Sequence, residues 1–188
     1  VLARLFTRAG NRVGALFFDT GILRVIPPGT TRRHVLRIGA ELGRTARPRG
    51  GATTDLAEML DAAGRLARRR SLILVLSDFI GEGDWERALM RLSRRHEVVA
   101  LRIVDTADDV LPEAGLIVIE DAETGEQLIV DSADPLLRAG LRSAVDAREQ
   151  RLATGMRRAR VPIHRIDTDR DLTAALVEVV ASTRSRAR

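Results

Sequence analysis

The sequence predicts an α/β fold with a doubly wound, mostly parallel sheet that carries helices on both faces. Apolar runs of strand length alternate along the chain with segments whose apolar residues recur at helical spacing. Several of those runs are almost continuous, as in parallel strands that are buried on both faces. Two short apolar runs interrupt the alternation between residues 116 and 130, and they add an inserted β-hairpin to the prediction.

The first third of the chain predicts a hairpin followed by a helix. Apolar runs at 12–18 and 22–26 flank the turn Asp19-Thr20-Gly21 and predict two strands joined by a tight turn. Thr30 or Thr31 then begins a helix. Its inner face has apolar residues at helical spacing, namely Val35, Ile38 and Leu42.

The next elements predict a helix and a buried strand. Thr53 or Thr54 begins the helix and Ser71 ends it. One face of this helix is apolar and consists of Leu56, Met59, Leu60, Ala63 and Ala67. The run at 72–76 predicts the central parallel strand, which ends in Ser77-Asp78-Phe79.

The second half continues the alternation around the inserted hairpin. Asp84 caps a helix, and the run at 98–104 predicts a buried strand that ends at Asp105. The hairpin follows, with strands at 116–119 and 128–130. Asp134-Pro135 begins a long helix whose inner side consists of Leu137, Leu141, Val145, Leu152 and Met156. A strand at 162–166 and a helix at 172–180 complete the domain.

The composition fits one domain in a reducing compartment. The 188 residues suffice for one full core, which we place at 1–182 with a disordered basic tail at 183–188. The chain has no cysteine and no apolar segment long enough to cross a bilayer, so we expect a cytoplasmic location and no membrane contact in this segment. A membrane anchor upstream in a full-length protein is left open.

The residue types exclude several chemistries. All 31 basic residues are arginine, so P-loop phosphate binding and Schiff-base catalysis are excluded, and the lack of cysteine excludes thiolate zinc sites. No G-x-S-x-G, G-x-G-x-x-G or H-E-x-x-H motif occurs. Four aspartates follow or lie near predicted strand ends, where open α/β sheets bind ligands. They are Asp19, Asp78, Asp105 and Asp167.

Two segments resemble two of the three loops of a von Willebrand factor A domain, which is a Rossmann-like fold. They are GGATTDL at 50–56, before a predicted helix, and LVLSD at 74–78, at a predicted strand end. The resemblance implies that the Thr54 hydroxyl and the Asp78 carboxylate surround a Mg²⁺ or Mn²⁺ ion, with Thr53 as the alternative register. Such hard cations take oxygen ligands. By the residues alone, Thr54 is equally well a helix N-cap and Asp78 a strand-end aspartate.

A longer series of segments resembles one bacterial branch of these domains, the domain-of-unknown-function family fifty-eight. The series is RVGALFF at 12–18, PP at 27–28, RRHVL at 32–36, TDL at 54–56, LSDF at 76–79 and RRHEVVA at 94–100. The likeness covers nearly the whole chain. It implies a non-catalytic protein-binding module that pairs with a MoxR-type AAA+ ATPase in the assembly or remodelling of protein complexes.

The sequence departs from the family pattern at its start. The pattern has a first strand that ends in D-x-S-x-S and supplies the direct metal ligands, and no such sequence occurs here. Residues 1–10 resemble the end of the helix that follows this strand, so we expect a domain truncated before its first strand. In the A-domain order the missing strand lies mid-sheet, and unpaired buried edges are costly. We expect the 188 residues alone to hold a divalent ion poorly and to fold poorly.

Two alternative functions stay open at this stage. Arginine clusters at 68–70, 157–160 and 184–188 can bind nucleic-acid phosphates, although the interspersed acidic residues and the scarcity of aromatic residues argue against it. A metal-dependent hydrolase could use Asp78 and Asp105 if the fold brings His164 near as a base. The three histidines, His34, His96 and His164, lack metal-ligand spacing, and we predict structural roles for them.

Overall fold

The computed structural model describes residues 1–44, 54–80, 83–105, 114–120 and 127–169. The helices α1 to α5 are Leu2–Arg8, Arg32–Arg44, Leu56–Leu66, Trp85–Arg95 and Pro135–Ala159. The strands β1 to β7 are Val13–Phe18, Ile22–Gly29, Leu72–Ser77, Glu97–Val104, Leu116–Glu120, Gln127–Asp131 and Ile163–Asp167. The helix predicted at 172–180 and the tail predicted at 183–188 lie outside the described residues.

A parallel sheet of three strands, in the order β3-β4-β7, forms the centre of the described structure. Leu72 of β3 lies beside Glu97 of β4, and Val104 of β4 lies beside Asp167 of β7. The chain is therefore a mixed α/β protein with a parallel sheet. The prediction that 72–76 is the central strand is wrong for the described residues, because β4 lies between the other two strands.

Alternate residues of β4 enter two apolar clusters on opposite faces of the sheet. Val98 and Ala100 join a cluster with residues of α3, α4 and α5. Val99 and Leu101 join Ile166 of β7 in a second cluster, against which a partly buried residue of α1 packs. Side chains of a strand point alternately to its two faces, so β4 is covered on both sides. This explains why its apolar run is almost continuous.

Close contacts hold α4 and α5 against the sheet. The buried ring of Trp85, the first residue of α4, meets Phe79 edge-on with ring centroids 6.2 Å apart. Gly155 of α5 lies against the same indole, since a Cβ at this position would be 2.7 Å from Trp85 Cη2. A bidentate ion pair ties α5 to β4, with Arg102 Nη2 2.5 Å from Glu149 Oε1 and Arg102 Nη1 2.6 Å from Glu149 Oε2.

Two predicted inner faces are only partly covered. Helix α2 has no buried residue, and Leu42 on its predicted inner face is 63% exposed. In α5, Leu152 and Met156 are buried as predicted, whereas Leu141 is 39% exposed. Helical spacing identifies residues that share a face, but it does not reveal whether another element covers that face.

Both predicted hairpins are present as two-stranded antiparallel sheets. β1 pairs with β2, and β5 pairs with β6. The second hairpin interrupts the alternation of strands and helices between β4 and α5, as the sequence predicts. Among the residues that the structure describes, no helix is both long enough and apolar enough to span a membrane.

Candidate functional site

Acidic residues stand at the carboxyl ends of all three parallel strands. Asp78 directly follows β3, Asp105 directly follows β4, and Asp167 is the last residue of β7. This edge is where open α/β sheets bind their ligands. Asp19, in contrast, lies in the turn between β1 and β2, where its backbone N–H donates to the Gly21 carbonyl at 3.0 Å. The predicted set of four therefore divides into three residues of one sheet and one residue of another.

A tight turn after β3 sets the direction of Asp78. The Phe79 N–H donates to the Ser77 hydroxyl oxygen at 3.0 Å, and the Ile80 N–H donates to Asp78 Oδ1 at 3.0 Å. The Ser77 hydroxyl donates to Asp78 Oδ1 at 3.3 Å. Phe79 has a left-handed φ of 56°, which is uncommon outside glycine. The turn buries the Phe79 ring and leaves Asp78 exposed to solvent.

Helix α3 begins later than predicted, and this bears on Thr54. Asp55 is the N-cap, and its Oδ1 accepts a hydrogen bond from the Glu58 N–H at 3.0 Å. The expectation that Thr53 or Thr54 caps this helix is wrong, because the adjacent aspartate supplies an equally good acceptor. The helix also ends at Leu66, before the predicted Ser71. The half-buried Thr54 is therefore free of the capping role that was the alternative to metal binding.

Thr54 and Asp78 each lie near a residue of one buried apolar cluster. Leu56, two residues after Thr54, and Phe79, next to Asp78, are buried in the same apolar cluster. Thr54 and Asp78 offer a hydroxyl and a carboxylate, both of which are oxygen donors that suit Mg²⁺. In the described ranges, no three acidic or histidine residues come together as a metal site. The donor set present fits part of a divalent-cation site and does not complete one, since Mg²⁺ is six-coordinate.

Two of the histidines occupy positions away from this edge. His34 Nε2 lies 2.7 Å from the Val13 carbonyl oxygen, a contact that joins α2 to β1. His164 of β7 lies beside Leu101 of β4, and Leu101 precedes Asp105 by four residues. Four residues of strand span about 13 Å. His164 is therefore poorly placed to act as a base for a group bound at Asp105, which weakens the hydrolase alternative.

His96 differs from the other two histidines in its burial and its unsatisfied ring. It is 4% exposed, and neither ring nitrogen has a hydrogen-bond partner in the described part of the chain. Burial lowers the pKa of its imidazole, and the charge of Arg95 lowers it further. The side chain lines a cavity of about 660 Å³ together with several arginines. The sequence predicts only a structural role for His96 and does not predict this cavity; the basic runs at 68–70 and 157–160, which supply three of its arginines, are the signal that could have indicated it.

Comparison with known proteins places these features in a family. The family described as "Protein of unknown function DUF58" matches residues 1–151. An uncharacterized protein of Mycobacterium tuberculosis, Rv1480, is 35% identical over 175 residues, which cover 93% of this chain and 55% of that protein. The chain thus spans about half the length of this curated relative. An uncharacterized protein of Mycobacterium avium, MAV169, is 34% identical over 85% of this chain and 94% of its own length.

A solved structure is similar in fold. The crystal structure of the conserved hypothetical protein BatB from Bacteroides thetaiotaomicron aligns with a TM-score of 0.50, at 14% identity, over 100% of this chain and 87% of that one. At this identity the likeness concerns the fold alone. On the family match and the mycobacterial relatives, the chain belongs to the DUF58 family of proteins of unknown function.

Proposed function

We propose that this chain is a non-catalytic protein-binding module of von Willebrand factor A-like fold. Its partner in this proposal is a MoxR-type AAA+ ATPase, and the joint task is the assembly or remodelling of protein complexes. Membership of the DUF58 family supports the proposal, since the sequence resemblance that implied this role is to the same family. The carboxyl edge of the β3-β4-β7 sheet is the surface that we assign to binding.

The observation that carries the proposal is that only one of the two Asp78 carboxylate oxygens accepts hydrogen bonds from the described part of the chain. Oδ1 is held by the Ile80 N–H and the Ser77 hydroxyl, which fixes the side chain at the end of β3. The other oxygen, Oδ2, accepts no hydrogen bond from the described part of the chain, and the residue is exposed. A carboxylate that is fixed through one oxygen and presents the other to solvent is preorganised to bind an external group.

A divalent cation is the external group that we propose for this position. Thr54 and Asp78 would contribute oxygen ligands to Mg²⁺ or Mn²⁺, and an acidic side chain of the partner would complete the coordination. The remaining ligands in the proposal come from a D-x-S-x-S segment, which this sequence does not contain. We therefore expect weak or no metal binding by the 188 residues and stronger binding by a protein that carries both parts.

The test measures capture of a MoxR-type ATPase by a full-length protein that contains this chain. Asp78→Asn keeps the acceptor for the Ile80 N–H but removes the charge, so the turn stays intact. Asp146→Asn, at an exposed position of α5, is the matched control. We expect Mg²⁺-dependent capture that chelator and Asp78→Asn both abolish and that Asp146→Asn leaves unchanged.

Each other outcome removes a defined part of the proposal. Capture that is insensitive to chelator and to Asp78→Asn excludes the metal site and leaves the partner in place. A Mg²⁺ titration by calorimetry checks the metal site without the partner, and equal heats from wild type and Asp78→Asn contradict it. If the ATPase is not captured under any condition, the partner assignment is wrong.

A further inference from the structure

A second candidate site lies at the opposite edge of the sheet, at the amino ends of the parallel strands. A cavity of about 660 Å³ opens where β4 and β7 begin and where α4 and α5 end. Among the residues that the structure describes, four arginines line it, together with the unsatisfied His96 and a single carboxylate, that of Glu97. The arginines are Arg70, Arg94, Arg158 and Arg160.

The charge of this cavity is positive even after its negative groups are counted. Glu97 contributes one negative charge, and the carboxyl ends of α4 and α5 contribute about half a negative charge each. Against the four guanidinium groups, these leave an excess of about two positive charges. None of the four arginines forms an ion pair with an acidic residue in the described part of the chain. Neutralising the two negative helix ends would require only about one of the four positive charges.

His96 supplies an observation that is independent of the arginines. Its side chain is buried at 4% exposure and lines the same cavity, yet both ring nitrogens lack a hydrogen-bond partner among the described residues. A buried polar atom without a partner is costly, and native structures pair nearly all of them. Both nitrogens are closed to solvent in the present ring orientation. Rotation of the ring toward the cavity would let the N–H of the neutral imidazole donate a hydrogen bond to an oxyanion there and remove part of that cost.

From the cavity, its excess charge and the unsatisfied His96 imidazole, we propose a binding site for a dianionic phosphate group. Arginine binds phosphate through paired N–H donors, and about two excess positive charges match a dianion better than a monoanion. The site is independent of the function proposed for the carboxyl edge. It goes beyond that function by giving the chain a second ligand on the opposite side of the sheet.

Arg160 provides a variant in which stability and binding should change in opposite directions. It follows the last turn of α5 with a left-handed φ of 55°, the conformation that helices usually give to glycine. Arg160→Gly removes a guanidinium and relieves the backbone at the same time. We expect this variant to have a higher melting temperature than wild type and a weaker affinity for phosphate, a combination that a purely structural arginine would not produce.

The experiment is calorimetric titration of the full chain with inorganic phosphate, O-phosphoserine and acetate. At about pH 8 both phosphate compounds are dianionic and His96 is neutral. We expect saturable binding of phosphate and none of acetate. Arg160→Gly and Arg94→Gln should each weaken phosphate binding about tenfold. Arg37→Gln, on α2 and away from the cavity, should leave it unchanged.

The comparison of the two phosphate compounds identifies the source of the group, and either result supports the site. Tighter binding of inorganic phosphate indicates a free ion, and equal or tighter binding of O-phosphoserine indicates a phosphate carried by a larger molecule. The absence of saturable phosphate binding overturns the proposal. So does an equal loss in all three variants, or binding of a single-stranded oligonucleotide that Arg37→Gln weakens as much as Arg160→Gly, because both results indicate unspecific attraction to arginine.

Discussion

Replacing Gly155 with alanine tests the approach of α5 to α4. The new Cβ would lie 2.7 Å from Trp85 Cη2 and 2.8 Å from Glu86 Cγ. Trp85 cannot easily move away, because it is 2% exposed and packs edge-on against Phe79. Overpacking of this kind costs about 1–3 kcal/mol, and the higher helix propensity of alanine contributes about 1 kcal/mol in the opposite direction. We expect the free energy of unfolding to fall by about 0–2 kcal/mol.

Gly140 provides the control in the same helix. A Cβ at Gly140 meets nothing within 4 Å, so Gly140→Ala should raise the free energy of unfolding by about 1 kcal/mol. Urea denaturation followed by circular dichroism measures both variants. The difference between the two changes in free energy of unfolding cancels the contribution of helix propensity and leaves the steric cost, about 1–3 kcal/mol. If Gly155→Ala stabilises the chain as much as Gly140→Ala, the packing of α5 against Trp85 is not as described.

Three further predictions concern ionisable residues. Glu149→Gln weakens the bidentate pair with the 7%-exposed Arg102, so the free energy of unfolding at neutral pH should fall by about 1–3 kcal/mol. The hydrogen bond from Arg102 lowers the pKa of Glu149, so the difference between variant and wild type should shrink as pH falls through that lowered pKa. Denaturation curves at several pH values measure this difference. His96 is held neutral with a pKa below 6.5, so stability should decline as pH falls below 6.5, and His96→Phe should abolish that part of the decline. Asp61→Asn removes the exposed pair with Arg91, and a change above about 1 kcal/mol would contradict the small value expected at the surface.

The fold class was predictable because strands and helices carry different periodicities. The continuous run of β4 and the turn residues of the two hairpins identified those strands directly. The place of β3 within the sheet was not predictable, since Leu76 is as apolar as a central residue although it is 57% exposed. Apolar runs report strand propensity, whereas strand order depends on contacts between distant segments.

The candidate site was predicted in part. Asp78 stands at the strand end that the sequence indicated. Its hydrogen bonds with Ser77 and Ile80, however, accompany a left-handed backbone conformation at Phe79, which no sequence pattern predicted. Asp55, and not the adjacent threonine, is the N-cap of α3, because neighbouring residues compete to accept hydrogen bonds from the same N–H groups. The cavity around His96 escaped prediction because three segments far apart in sequence form it, at 70, 90–99 and 158–164.

The pairing of β7 with β4 has a consequence for how the chain folds as it is made. Ala100 pairs with Ile163, roughly 60 residues later in the chain, while Leu72 finds its partner Glu97 much sooner. At about 5–20 residues per second, ribosomes need about 3–12 s to deliver β7 after β4. During that interval one edge of β4 has unpaired backbone groups and an incomplete apolar cover. The nascent chain is then open to aggregation at this edge, and pairing with β7 removes that exposure.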